Sequence, residues 1–316
     1  MDIHLLFGPD LPDAEVVRLA DTGTFFQTKF WLRICAEGLP ADPVVIAAFD
    51  DGMLRAILPG IITRRLGRRS FYSMPFGTYG GMVVSERLEP VEQNEFLGYL
   101  AGFIRGGKFS RVSIVDFGQT LSDQLGGGLT RTDVYTHILD IDEAAPDLGI
   151  DKKVRYEIAA GEKSGGEVVR LIDRRQVGEF YSLYQKAERR RGRRPLYPRR
   201  LFEVIAADLL GSDRLLWNAL VDGGRIIGSQ IHFLHRDTMF YWQAVSAEEV
   251  RPLRPDYRLF YDALQHAVKQ GIKTVNLGAS PPDAEGVVFF KERWGARRCS
   301  YPIWHSESWW RRWLAR

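Results

Sequence analysis

The chain is 316 residues long, 45% apolar and 26% charged, with a formal net charge of +3, which is material for two hydrophobic cores of about 150 residues each. No run reaches the roughly 18 apolar residues of a membrane span. The two cysteines, Cys35 and Cys299, have no Cys or His partner at ligand spacing, which argues against a disulfide framework and against any metal site.

The opening Met1-Asp-Ile-His-Leu-Leu-Phe-Gly8 has neither a basic leader nor a small-residue cleavage site, so a cytoplasmic location is the expectation. A short helix is predicted after Pro12-Asp13. Thr24-Phe-Phe-Gln-Thr-Lys-Phe-Trp-Leu-Arg-Ile34 then carries apolar residues at helical spacing, with Thr28 as a candidate cap. Strands are predicted near 43–49, 54–64, 69–74 and 80–85, a helix near 90–105 and a strand near 111–116. Gly126-Gly-Gly128 marks a turn before a strand near 134–141. The stretch from Glu143 to Gly149 has the composition of a junction, dividing the chain into domains at 1–145 and 150–316. Beyond it, helices near 151–160, 174–190 and 199–210 precede strands near 214–221, 225–235 and 238–245. A helix near 256–270, a strand near 272–277, a helix near 285–294 and a strand near 297–305 follow. Antiparallel strands, then a helix crossing to a further strand, give an α/β (α+β) chain whose domains are each a mixed sheet covered by helices.

Two stretches 164 residues apart repeat one pattern. Phe96-Leu-Gly-Tyr-Leu-Ala-Gly-Phe-Ile-Arg-Gly-Gly-Lys108 runs into Arg111-Val-Ser-Ile-Val-Asp116, and Phe260-Tyr-Asp-Ala-Leu-Gln-His-Ala-Val-Lys-Gln-Gly271 runs into Lys273-Thr-Val-Asn-Leu277. Each is an amphipathic helix, a glycine stop and a short apolar strand. Upstream of each is a hairpin signal, Phe49-Asp-Asp-Gly-Met53 in one and Val221-Asp-Gly-Gly-Arg225 in the other. Order and spacing agree, so the chain reads as an internal duplication.

Charge is not shared evenly between the halves. Residues 1–150 hold 13 Lys and Arg against 20 Asp and Glu, a net −7, whereas residues 151–316 hold 30 against 20, a net +10. The excess gathers in Glu188-Arg-Arg-Arg-Gly-Arg-Arg-Pro-Leu-Tyr-Pro-Arg-Arg200, whose Gly192, Pro195 and Pro198 make it largely a loop between helices. A guanidinium cluster of this kind is either a solvated basic loop or a phosphate site, with Arg190, Arg191 and Arg194 as the donor-binding candidates.

Ser73-Met-Pro-Phe-Gly-Thr-Tyr-Gly-Gly81 and the earlier Phe25-Phe-Gln-Thr-Lys-Phe-Trp31 resemble segments of the first domain of FemAB-like proteins. Tyr241-Trp-Gln-Ala-Val-Ser246, Asp256-Tyr-Arg-Leu-Phe-Tyr-Asp-Ala-Leu264, Leu277-Gly-Ala-Ser280 and Phe289-Phe-Lys-Glu-Arg-Trp-Gly-Ala296 resemble the closing series of the second, in order. With the element order, the whole chain is similar to the GNAT acyltransferase fold written twice, in the branch associated with exopolysaccharide and envelope biosynthesis.

That resemblance implies transfer of an acyl or aminoacyl group from a thioester or ester to an amine. It implies no bound cofactor, only acyl-CoA or aminoacyl-tRNA as co-substrate. The donor would meet the N-terminus of the central helix, at Val250-Arg-Pro-Leu-Arg-Pro-Asp256. This loop has two prolines and no glycine where acetyl-CoA users carry a glycine-rich loop, and Arg251, Arg254 and Asp256 are its donor-binding candidates. Lys291, by match to the Phe-Lys motif, is the first catalytic candidate, as an oxyanion-stabilising cation. Tyr241 and Tyr79 are lesser ones, and Asp116 and Trp242 are candidates for the acceptor.

Other constellations carry less. His232 and His235 are three apart on a strand and point to opposite faces, and His137, His266 and His305 have no carboxylate or Cys at ligand spacing. Ser280 lacks the Gly-x-Ser-x-Gly frame of a nucleophile elbow, and no Walker or dinucleotide fingerprint is present. Nothing points to sequence-specific DNA, while tRNA stays open as a partner. The tail holds Trp309, Trp310 and Trp313 among Arg311, Arg312 and Arg316, the composition either of a contact at the inner membrane face, suited to a lipid-linked amine acceptor, or of a cap on the last strand. Two functions result: an N-acyl or aminoacyltransferase acting on an envelope saccharide or peptide precursor, or a non-catalytic scaffold of the same fold in a surface-polysaccharide assembly.

Overall fold

A computed structural model describes residues 1–8, 14–85, 88–122, 125, 128–141, 150–171, 173–248, 250, 253–280 and 284–306. The turn expected at Gly126, the junction at Glu143 to Gly149, Arg251 and the Trp309, Trp310 and Trp313 tail lie outside those residues. In chain order the elements are β1 (Asp2–Phe7), α1 (Ala14–Ala20), α2 (Lys29–Gly38), β2 (Ala41–Asp50), β3 (Met53–Arg65), β4 (Arg68–Ser73), β5 (Val83–Val84), α3 (Pro90–Gly106), β6 (Arg111–Val115) and β7 (Leu129–Asp140). Then come α4 (Lys152–Lys163), β8 (Glu167–Arg170), α5 (Arg174–Arg190), α6 (Arg199–Leu209), β9 (Leu215–Asp222), β10 (Arg225–His235), β11 (Thr238–Ser246), α7 (Pro255–Lys269), β12 (Thr274–Ala279), α8 (Glu285–Arg293) and β13 (Arg297–Ser306).

Local chemistry accounts for the hairpins and the crossover helices. Asp51 and Gly52 both have positive φ, 48° and 77°, as do Gly223 and Gly224, 54° and 75°; these are the two-residue turns whose twist suits β2–β3 and β9–β10. Helix α3 opens with a reciprocal capping box between Glu89 and Glu92 and a proline in its first turn. The 24–34 segment breaks at Thr28, where a 3-10 turn over Phe25–Gln27 gives way to α2. The Thr28 hydroxyl turns back to donate to the Phe25 carbonyl at 2.7 Å instead of capping the helix.

By compactness the chain forms two units, Met1–Val134 with the chain from Ser300 on, and Tyr135–Cys299. The sheet of the first runs β1-β2-β3-β4-β6-β13, and that of the second β8-β9-β10-β11-β12-β7. Among the strands of the described residues the parallel pairs are β4–β6 in one unit and β11–β12 in the other, each joined by its crossover helix, α3 or α7. The repeat in the sequence is therefore a repeat of topology. The units do not follow the linear division at 145–150, because the closing strands are exchanged. Ile138, Leu139 and Asp140 of β7 pair with Asn276, Val275 and Thr274, and Ile303, Trp304 and His305 of β13 pair with Val115, Ile114 and Ser113.

Each unit has its own core. Phe71, Phe96, Leu100 and Ile114 are central to the first, and Phe260, Leu264, Val275 and Trp294 to the second. The outer strands β1 and β8 were not expected from the sequence; each is a short edge strand with one neighbour, so its apolar alternation is weak. Among the described residues no helix is long and apolar enough to cross a membrane.

Candidate active site

The parallel ladder of β11 and β12 is three pairs long, Thr238↔Thr274 to Phe240↔Asn276, and then stops. On β11 the stop coincides with a bulge, since Tyr241 faces His232 and Gln243 faces Ile231, leaving Trp242 as the extra residue. On β12 it coincides with Gly278, whose φ is +75° and whose added Cβ would stand 3.5 Å from the Tyr241 carbonyl oxygen. The chain here needs a residue that tolerates the left-handed conformation, whereas a Cβ at that distance would make an ordinary contact.

Lys291 comes to this point from α8 and is 3% exposed. Its Nζ donates to the Gly278 carbonyl at 2.7 Å, the Ala279 carbonyl at 3.1 Å and the Ser280 Oγ at 2.9 Å. Burial pushes its pKa down to about 7. The carbonyls are aimed by a polar chain behind them: Thr136 of β7 donates to Asn276 Oδ1 at 2.7 Å, and the same oxygen accepts from the Gly278 N–H at 2.9 Å. His137, next along β7, is fully buried, and neither of its ring nitrogens hydrogen-bonds a described residue. Burial first, and then the Lys291 charge, lower its pKa, while Glu292 opposes them from 3.7 Å.

Beneath the first turn of α7 is a second polar group. Gly228 admits Pro255 so closely that a Cβ there would stand 2.9 Å from the proline Cβ. Gln230 Nε2 donates to the Asp256 backbone carbonyl at 3.2 Å and its Oε1 meets His232 Nε2 at 3.2 Å. Burial lowers the His232 pKa to about 3, so the ring is neutral. Tyr241 packs on His232 and Phe260 at ring distances of 5.1 and 5.7 Å. Its hydroxyl is driven well above the ordinary phenol range, by burial first and by Asp256 second, with Arg191 opposing. Asp256 itself is raised by burial and pulled back by Arg191. Tyr241, Asp256 and Arg191 thus share one field, while Trp242 turns to the other side of the sheet, against Tyr197, Phe202 and Phe233.

The remaining basic candidates have partners of their own. Arg254, at φ +48°, is the N-cap residue of α7, and its Nε lies 2.6 Å from Glu157 Oε2 of α4. Lys152, Lys153, Tyr156, Glu157 and Arg293 line a depression of about 390 Å³ beside it. Arg191 and Arg193 both pair with the buried Glu188, at 2.8 and 3.4 Å, and Arg190 donates to the Ser246 carbonyl at 3.3 Å. The arginine loop is tied down further by Tyr184, whose hydroxyl accepts the Leu196 and Tyr197 N–H groups. Arg194 is exposed.

In the first unit the equivalent place is filled. The β4–β6 ladder runs through Ser73↔Ile114 and is prolonged by a Gly80↔Asp116 bridge. A Cβ on Gly80 would stand 2.1 Å from Ser73 backbone, and one on Gly81 2.6 Å from Asp116 Oδ1, so these glycines serve close backbone packing instead of the approach of a ligand. Tyr79 is sealed between Phe117, Tyr301 and Phe26, at 4.4, 5.6 and 6.0 Å. Asp116 spends its carboxylate on the Thr120 N–H and hydroxyl and the Leu121 N–H, at 3.0, 2.9 and 2.8 Å. Both candidates are built into a turn of the first unit, and Lys291 belongs to the second.

Residues 150–292 match the family model of the acetyltransferase (GNAT) domain. That stretch of the chain is similar to GNAT acetyltransferase domains. The fold extends over the whole chain: the crystal structure of FemX aligns with a TM-score of 0.69 at 14% identity, covering 96% of this chain and 97% of that one. A tandem GNAT protein from the clavulanic acid biosynthesis pathway aligns at 0.61 and 11%, over 96% and 98%. The C-terminal domain of a putative lysylphosphatidylglycerol synthetase from Agrobacterium fabrum aligns at 0.56 and 14%, over 93% and 89%. No curated protein matches by sequence.

Around the site, sequence reasoning missed Glu157, Thr136, Asn276 and the contact of Ser280 with Lys291. Thr136 precedes the domain in sequence and reaches it only through the exchanged strand β7. A signal did exist for Ser280, which ends the β12 segment at Leu277-Gly-Ala-Ser280, but the lysine that meets it is eleven residues on.

Proposed function

We propose that the GNAT domain moves an acyl or aminoacyl group from a phosphate-bearing donor, an acyl-CoA or an aminoacyl-tRNA, to an amine of a cell-envelope saccharide or peptide precursor. The observation that carries this reading is the interrupted β11–β12 ladder, with Lys291 buried at its end and Tyr241 and Asp256 beside it; the matching place in the first unit is closed by its own backbone. A site that must take a proton from an amine and return one to a leaving group needs titratable groups with shifted pKa values in a water-poor setting. Lys291, Tyr241 and Asp256 fit that need, and Arg254, Arg190 and Arg191 are assigned to donor phosphates. Tyr79, Asp116 and Trp242 are assigned to packing. A synthetase named for lysylphosphatidylglycerol among the fold's relatives supports an aminoacyl cargo and an envelope acceptor.

Glu157 qualifies the donor site. A carboxylate on Arg254 occupies the cation that a pyrophosphate would seek, so the donor must displace it or use the neighbouring Lys152, Lys153 and Arg293. Thermal melting in the presence of acetyl-CoA, a long-chain acyl-CoA and an aminoacylated RNA minihelix tests the proposal. The true donor, at a hundred times its Kd, stabilises the fold by about 2.7 kcal/mol, and the Glu157→Gln variant binds it more tightly. No shift with any of the three would sink the proposal.

A further inference from the structure

We infer that the tip of the β3–β4 hairpin, Arg64-Arg-Leu-Gly-Arg-Arg69, is a docking surface for an anionic lipid bilayer. The inference goes beyond the transferase reading and uses none of its residues. It begins from where the neighbouring strands stop. Pairing of β2 with β3 starts at Ala41↔Thr63, and pairing of β6 with β4 starts at Ser70↔Arg111. The last two rungs of the hairpin, Arg64↔Arg69 and Arg65↔Arg68, therefore project past both neighbouring strands. This overhang holds four arginines, one leucine, one glycine and no acid, in a half of the chain whose net charge is −7. Arg64 is paired with Asp42 at 3.1 Å, and Arg69 donates to the Gly107 carbonyl at 3.2 Å and covers the Phe109 ring at 5.0 Å. Arg65 and Arg68, opposite each other, are exposed, and among the described residues neither makes an ion pair.

The fold does not account for the residue at the turn. Leu66 has a φ of 50° and Gly67 one of 72°, the two-residue turn in which asparagine, aspartate or glycine suits the first place. The β2–β3 turn obeys that preference with Asp51 and Gly52. A leucine there is disfavoured by its Cβ, and packing returns nothing, since Leu66 is 94% exposed. Like charges directly opposite on a ladder are unfavourable as well, which is the situation of Arg65 and Arg68. One kind of surface relieves both. An anionic leaflet offers phosphates to the guanidinium forks and, just beneath them, an apolar boundary to an aliphatic side chain. Nucleic acid also carries phosphates, but its unpaired bases are held by aromatic side chains, and the overhang has none.

A second observation brings the end of the chain to the same place. β13 runs antiparallel to β6, from Ile303↔Val115 to His305↔Ser113, and the Ser306 Oγ accepts the Val112 N–H at 3.2 Å. Val112 in turn stands opposite Phe71 of β4. The chain therefore passes Ser306 at the level of Phe71, about 10 Å of strand behind Arg68, and heads the way the hairpin points. Ten residues follow, among them Trp309, Trp310 and Trp313 with Arg311, Arg312 and Arg316. Ten residues of chain reach up to about 33 Å, enough to come level with the tip. Indole and guanidinium are side chains suited to the bilayer interface. Two segments far apart in sequence thus bring apolar and guanidinium chemistry to one end of the first unit.

The test is cosedimentation of the full chain with vesicles of phosphatidylcholine alone and of an equal mixture of phosphatidylcholine and phosphatidylglycerol. Binding is expected to the mixed vesicles, to be far weaker on phosphatidylcholine, and to fall as salt rises. Each basic residue near an anionic leaflet is worth about fivefold in partitioning, so Arg65→Gln/Arg68→Gln should bind roughly 25-fold more weakly. Leu66→Asn places a residue that suits the turn; it should melt no lower than the parent and still lose binding several-fold. Trp309→Ser/Trp310→Ser/Trp313→Ser should weaken binding and leave a remainder that Leu66→Asn weakens further. Failure of the parent to bind the mixed vesicles, or binding that either hairpin variant leaves unchanged, would overturn the inference. Hairpin variants that keep the vesicles and lose an RNA minihelix would overturn it too, making these arginines a nucleic-acid contact.

Discussion

A buried lysine amine whose hydrogen bonds, among the described residues, go to three oxygen atoms puts a pH signature on stability. In the unfolded chain Lys291 titrates at its ordinary 10.5, and in the fold at about 7. Between those values the unfolded state binds the extra proton, so the unfolding free energy rises with pH across that window, at up to about 1.4 kcal/mol per pH unit, and the penalty is full below it. Urea denaturation of the parent and of Lys291→Met at pH 6 to 10 is expected to show the parent gaining on the variant as pH rises; parallel profiles would mean that the amine is solvated. Since the substitution keeps the aliphatic stem and deletes only the charge, the motif match by itself predicts a melting temperature unchanged within a few degrees. The half-buried carbonyls of Gly278 and Ala279 lose their donor instead, at up to about 1–3 kcal/mol for each group left unpaired, offset near neutral pH by removal of the ammonium. Asn276→Ala tests the support behind them. It frees the Gly278 N–H, lets both carbonyls drift, and should move the pH midpoint of any Lys291-dependent reactivity while leaving the midpoint of a distant group, such as the half-buried His266, in place.

At the scale of elements, α4 and α7 are held by contacts that tolerate no added atom. Gly161 of α4 faces the turn before α7, and a Cβ there would stand 2.7 Å from the Leu253 carbonyl oxygen and 2.8 Å from Arg258 Cδ. Arg258 is buried and donates to the Gly161 and Gly166 carbonyls at 3.2 and 2.8 Å. Gly161→Ala is therefore expected to destabilise by about 1–3 kcal/mol and to loosen the Glu157–Arg254 pair. Gly102→Ala in α3, with open space around it, should stabilise by roughly 0.5–1 kcal/mol; thermal denaturation of the two variants checks both signs. This contrast also marks how far the sequence could be followed. The Asp-Gly and Gly-Gly turns, the 3.6-residue periodicity of α3 and α7 and the glycine stops are local, and they located the hairpins and crossovers to within a few residues. The burial of Lys291 was not local. Its helix has the composition of an exposed one, Glu285 to Arg293 with Glu292 and Arg293 beside the lysine, and only the packing of Phe290 and Trp294 on Phe260 turns that face inward. Strands 134–141 and 297–305 were visible as apolar runs, but nothing within either one says which partner it will take.

For the whole molecule, the exchange of closing strands makes the family-matched segment incomplete by itself. Residues 150–292 lack β7, so the β12 edge that carries Asn276 and Gly278 would be bare, and the Thr136 hydroxyl that holds Asn276 would be missing. A fragment of residues 150–316 should therefore aggregate or melt far below the parent, whereas one beginning at residue 128 should keep the second core; circular dichroism and size-exclusion chromatography of the two fragments decide the matter. The same exchange sets an order of events at the ribosome. Since domains tend to fold as the chain emerges, N-terminal part first, β6 will pair with β4 on one side and wait with its other edge, at Ser113, Ile114 and Val115, open until the chain has been made as far as Ile303, Trp304 and His305. During that interval the nascent protein exposes an apolar strand edge, the kind of surface on which another chain can dock. Slow translation across 150–300 should thus raise the demand for a chaperone, and the second half, supplied with β7 before its own synthesis begins, should be the first to close.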